Sequence, residues 1–169
     1  MKITGLEIIP ASKYLFIRIS TDEGIHGTGE AGAWGFLDGV EGVLRRFESY
    51  LLGKNPFQIE HHWNYLYRSM YFRGSVIMSA LSAIDIALWD LLGKICHMPV
   101  YKLLGACSDM VPSYASGGFY APGKGIDGLR AELEGYMEKG YQDAKIKIGR
   151  NLDRPGSPLC YMANQECSV

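Results

Sequence analysis

From Val76 to Lys94 the chain reads as one long helix that is apolar on nearly every side. Ala80, Leu81, Ala83, Ile84, Ile86, Ala87, Leu88, Trp89, Leu91 and Leu92 leave little room for a polar face. A surface helix of a globular protein shows a single apolar stripe, whereas one that is apolar all round lies in the middle of something. The neighbouring segments must therefore supply walls for it. With 169 residues, 47% of them hydrophobic, the chain has enough material for such a core.

Candidate walls precede the helix. Ile3, Leu6, Ile8 and Ile9 form a first strand that ends at Pro10, and Tyr14 to Ile19 a second. Thr21-Asp22-Glu23-Gly24 is a turn in which Gly24 is free to take φ > 0. Ile25 to Glu30 returns as a third strand. Short strands with tight links predict an antiparallel meander. Gly27 and Gly29 weaken the third strand and point to a close backbone approach. Val40, Val43, Leu44, Phe47 and Leu51 fall at helical spacing, with Gly53 and Pro56 as the stop. Ile59, Trp63, Leu66, Tyr67 and Met70 make another stripe, broken at Tyr71-Phe72-Arg73-Gly74. Meander followed by helices predicts an α+β domain over residues 1–110.

From Val111 the order changes to strand (111–115), glycine-rich loop, helix (Ile126, Leu129, Leu133, Tyr136, Met137) and strand (144–148). That is one βαβ unit, the start of a parallel sheet or barrel, over residues 111–150. A barrel takes about 250 residues, so this one would be incomplete. The tail at 151–169 keeps no period. It reads as a disordered terminus, or as residues that do not continue the original reading frame.

Net charge is −1, which gives no electrostatic reason to expect nucleic acid or an anionic membrane as partner. No uninterrupted run of about 18 apolar residues predicts a membrane span. The start, Met1-Lys2-Ile3-Thr4, lacks the apolar stretch of a signal peptide. Cys96, Cys107, Cys160 and Cys167 have no metal-finger spacing. The expectation is reduced thiols in a cytoplasmic protein. His61 and His62 diverge by about 100° on a helix and cannot share a metal. Gly117-Gly118 opens no GxGxxG fingerprint. Lys145 and Lys147 share one face of their strand. By spacing alone they are solvated lysines on a wet face, or a pair with a purpose.

The run from Ala80 to Lys94, followed by Met98-Pro99-Val100-Tyr101-Lys102-Leu103-Leu104-Gly105, resembles the signature of the mandelate racemase and muconate lactonizing enzyme group of the enolase superfamily. Gly27-x-Gly29-Glu30-Ala31 and Lys145-x-Lys147 agree in order and spacing, and Tyr71-Phe72-Arg73-Gly74 is similar to the sugar-acid dehydratases within it. The resemblance implies an α+β capping domain, a three-stranded antiparallel meander plus helices, followed by the start of an incomplete (β/α)7β TIM-type barrel. It implies Mg²⁺-dependent removal of a proton α to a carboxylate of a small acid such as a sugar acid. Dehydration, racemisation or cycloisomerisation would follow.

The same resemblance makes Lys147 the base and Lys145 its neighbour near the substrate carboxylate. A close like charge and a desolvated site both favour the neutral amine that a base needs near pH 7. Trp34, in the loop after the third strand, either packs on substrate or is an ordinary aromatic. Arg73 either pairs a substrate carboxylate or is a surface arginine. Asp85 and Asp90 are expected to make structural hydrogen bonds rather than to bind metal. The family's metal ligands lie on the third to fifth barrel strands, beyond the last strand here. No metal ligand is therefore assigned, and this chain alone is expected neither to bind Mg²⁺ nor to turn over substrate. The alternative is a non-catalytic capping module that associates with a full-length homologue. Homo-oligomerisation is left open.

Overall fold

The computed structural model describes residues 1–33 and 35–148. They fall into two compact units, Met1–Cys107 and a second that begins at Ser108. In the first, β1 (Ile3–Ala11), β2 (Tyr14–Thr21) and β3 (His26–Ala31) form an antiparallel sheet in the order β1-β2-β3. Ile8 faces Ile17 across one ladder and Arg18 faces Thr28 across the other. Leu15, Ile17 and Ile19 point into the core while Arg18 between them is exposed, the period-2 alternation of a half-buried sheet. β1 runs one residue past Pro10. As an edge strand it tolerates a residue without an N–H.

Three helices follow: α1 (Leu37–Leu51), α2 (Ile59–Arg68) and α3 (Ser75–Ile95). α1 buries Val40, Leu44, Phe47 and Leu51, and α2 buries Ile59, His62 and Leu66. Each such aliphatic or aromatic side chain contributes about 1.5–3 kcal/mol on removal from water. α3 packs on β2 and β3 and on α1 and α2. The approach to β3 is close. A Cβ on Gly27 would sit 2.9 Å from Leu91 Cβ, and one on Gly29 would sit 2.9 Å from the Ala83 carbonyl carbon. The two glycines are the reason the helix can lie on the strand.

Within the first unit the walls around α3 leave part of it uncovered. Ile86 is 46% exposed, and Trp89 is only half-buried. α3 is long and apolar enough to cross a membrane by length and composition. Yet Leu81, Ile84, Leu88 and Leu91 are core positions here, so burial in protein accounts for the composition. In the last turn of α3, Gly93 is packed against the Met98 carbonyl, where a Cβ would be 2.9 Å away. Pro99 then starts α4 (Val100–Leu103), which ends at Gly105 with φ +84°.

The second unit is strand, helix, strand: β4 (Ala115–Ser116), α5 (Ile126–Glu138) and β5 (Ala144–Lys145), with β4 and β5 parallel. Both strands are shorter than the sequence suggests. Met110 and Val111 are each 83% exposed, and Pro112 can donate to no ladder. Apolar residues without a partner strand do not form a ladder, and Gly118, at φ +66°, turns the chain out of β4. The tail at 151–169 lies outside the described residues.

Candidate active site

The two lysines are placed by the β4–β5 ladder. Ala115 N–H donates to the Asp143 carbonyl (3.0 Å) and Gly117 N–H to the Lys145 carbonyl (2.9 Å). A Cβ on Gly117 would lie 2.7 Å from Glu132 Oε1, so that side of β4 faces α5. Ser116 therefore faces away from α5, and Lys145, its partner in register, faces away with it. Lys147 follows two residues beyond the carboxyl end of β5. Its ammonium stands 4.9 Å from the centroid of the Phe119 ring. Both lysines are exposed.

The loop after β4 is held by a clamp that the sequence did not reveal. Glu132 Oε1 accepts from the Gly118 N–H (3.2 Å) and the Tyr136 hydroxyl (2.7 Å). Lys124 Nζ pairs with Glu132 Oε2 and also donates to the Phe119 carbonyl (3.0 Å). Lys124, then Tyr136 and Gly118, hold the Glu132 carboxyl down at about 2. Tyr136, which donates to that carboxylate and is partly desolvated, is pushed up. The available signal was Glu132 and Tyr136 at i, i+4 on one helix face.

Arg73 belongs to the first unit. Its Nε donates to the Tyr67 carbonyl at 3.1 Å, and its guanidinium lies 4.2 Å over the Tyr67 ring. Tyr67 in turn stacks on Trp63, centroids 4.8 Å apart. The arginine is thus exposed but held against Tyr67 near the end of α2. Trp34 lies outside the described residues.

Of the two helix carboxylates, Asp90 does what was expected. Its Oδ2 accepts from the Thr28 N–H (2.8 Å) and from Lys94 (2.7 Å), and Lys94 donates to the His26 carbonyl (2.9 Å). Asp85 does not. It makes no hydrogen bond among the described residues, and burial followed by repulsion from Glu60 pushes its carboxyl up. His62 is fully buried. Its Nε2 lies 2.8 Å from the Asn55 carbonyl and so carries the proton, leaving Nδ1 to accept from Tyr50 (3.0 Å). Cys96 and Cys107 are free and exposed; Cys160 and Cys167 lie outside the described residues. No three His, Cys, Asp or Glu side chains converge among the described residues.

Residues 4–105 match the description of the mandelate racemase / muconate lactonizing enzyme N-terminal domain. This chain belongs to that family, within the enolase superfamily. Among its relatives is a D-galactonate dehydratase family member from a Marinomonas strain, 36% identical over 98% of this chain and 41% of the relative. A D-mannonate dehydratase from Rhizorhabdus wittichii is 39% identical over 88% of this chain and 38% of the relative. This family member therefore spans well under half the length of the relatives it matches. Similar solved structures include the 3,6-anhydro-D-galactonate cycloisomerase of Zobellia galactanivorans, at TM-score 0.77 and 31% identity, covering 88% of this chain and 43% of that one. An enolase from Pantoea ananatis with bound D-gluconate and magnesium has TM-score 0.73 and 31% identity, covering 86% and 36%. The antiparallel meander and its helices are the family's capping domain, and the βαβ unit is the start of its barrel.

Proposed function

We propose that this chain supplies the capping domain and the base-bearing strand of a sugar-acid dehydratase-type enzyme. One observation carries the reading: Lys145 and Lys147 stand at the carboxyl end of a parallel strand, with Lys145 on the face away from the covering helix. Folds of this class build their sites at the carboxyl ends of parallel strands. The dehydratase names of the relatives and the gluconate of the Pantoea structure support the substrate class. In this reading Lys147 takes the proton α to the carboxylate, and the C–H electron pair stays on the substrate as an enediolate. Lys145 faces the carboxylate. Arg73 offers a planar contact to an acid group, and Trp34 an aromatic wall.

The magnesium bound by the Pantoea relative finds no group of three His, Cys, Asp or Glu side chains among the described residues. No step is derived through it. The exposed thiols Cys96 and Cys107 suit a reducing cytoplasm.

The test is exchange of the α-proton in D₂O over a panel of aldonic and aldaric acids, using the longest polypeptide the gene encodes. Lys147→Ala should remove exchange by at least about a hundredfold, the usual contribution of a positioned base. Undiminished exchange in that variant would reject Lys147. A second reading, a capping module that associates with a homologue, is favoured by Tyr71 at 98% and Phe72 at 85% exposure. Co-elution with a full-length homologue, lost in Phe72→Ser, would support it.

A further inference from the structure

We propose that Phe119 is a positioning residue for Lys147, a role that rests on the assignment of Lys147 as the base. Lysine is a point charge on a flexible four-carbon stem, so a strand alone leaves its ammonium free to sweep a wide volume. Here the ammonium lies 4.9 Å from the Phe119 ring centroid, inside the roughly 6 Å range of a cation–π contact.

The ring is half-exposed, but the backbone that carries it is tied on both sides: the Gly118 N–H to Glu132, and the Phe119 carbonyl to Lys124. The tying pair is shielded, with Lys124 and Glu132 side chains 22% and 24% exposed, and Tyr136 braces the carboxylate from the next helical turn. A chain of fixed groups thus runs from α5 through the loop after β4 to the lysine beyond β5. The ring face attracts the ammonium form, which the amine takes on accepting a proton.

The experiment uses the full chain, uniformly labelled with ¹³C and ¹⁵N, and reads the ε-methylene protons of the lysines. Lys147→Arg assigns the Lys147 signal. The expected result is an upfield ring-current displacement of that signal, lost in Phe119→Leu and kept in Phe119→Tyr, and reduced in Glu132→Gln, where Lys124, the partner of Glu132, also shifts. A Lys147 signal at the ordinary lysine position, or one unmoved by Phe119→Leu, would overturn the proposal. Should Phe119→Leu disturb the fold, the unsubstituted chain and Phe119→Tyr decide it: displacement in both supports the contact, absence in both rejects it. An undisplaced signal together with exchange lost in Lys147→Ala overturns Phe119 alone. A displaced signal together with undiminished exchange overturns the base, and the positioning role with it.

Discussion

A methyl group on Gly29 would be driven into the Ala83 carbonyl on the facing turn of α3, and the obstacle is backbone that has nowhere to go. Gly29→Ala should therefore destabilise the first unit by about 3 kcal/mol, the upper range for overpacking, read as a lower urea midpoint. Gly42 gives the opposite sign. It lies exposed within α1 with nothing near its missing Cβ, so Gly42→Ala should raise stability by about 0.5–1 kcal/mol through helix propensity alone. His62 adds a pH dependence. Burial lowers its pKa, while the Asn55 carbonyl bond opposes that shift and His61 and Lys54 add to it. Its folded-state pKa therefore lies below the unfolded one. The stability it contributes is present above the usual histidine range and falls as pH drops through about 6.5 and below. The urea midpoint should decline between pH 7 and 5, and His62→Gln should flatten that decline.

At the scale of elements, β3 has a free edge among the described residues, where its ladder is to β2. α3 covers part of that edge with side chains: Asp90 takes the Thr28 N–H and Lys94 gives to the His26 carbonyl. Such cover keeps an edge from pairing with another chain. Asp90→Ala should cost about 1 kcal/mol, the net worth of such a bond at a half-exposed site, and should speed hydrogen exchange at the Thr28 amide. Unchanged exchange there would mean the carboxylate does not protect the edge. In the second unit Glu132 is held at about 2 against an ordinary 4.5. A depressed carboxylate stabilises above its unfolded value, and that contribution is lost as pH falls from about 4.5 toward 2. Protection of the Gly118 amide, relative to its intrinsic exchange rate, should fall across that window, and Glu132→Gln should abolish the change in protection.

For the molecule as a whole, the units differ in what they bury. The first carries a contiguous core from Ile3 to Leu88. In the second, α5 buries no residue, and Ile126 and Met137 stay 79% and 71% exposed. Hydrogen exchange should therefore show α3 opening only with global unfolding, and α5 opening at far lower cost. Trypsin should cut at Lys124, Arg130 or Lys139 before any site in β2 or α3. Equal protection of α5 and α3 would contradict this.

Local pattern was enough to place the meander, the three main helices and the close approach at Gly27 and Gly29. Apolar periods and turn residues act over a few positions, and two glycines alternating on one strand leave room for only one kind of neighbour. The family followed from a signature whose parts are themselves local: an apolar helix, a glycine under Met98, and a proline that starts the next turn. The lysine pair was legible by spacing, but its side of the sheet, away from the covering helix, was expected only through the family resemblance. In the structure that side depends on the register Ser116 to Lys145 and on which face α5 covers, both set by residues far apart in the chain. The Glu132 clamp, the Phe119 contact and the double bond of His62 were hidden for the same reason. Each is a meeting of side chains from different elements, and a sequence read along its length holds no distance between them. The short β4 and β5 show the converse. Their apolar residues promised longer strands, but a strand exists only where a partner supplies the other half of each hydrogen bond.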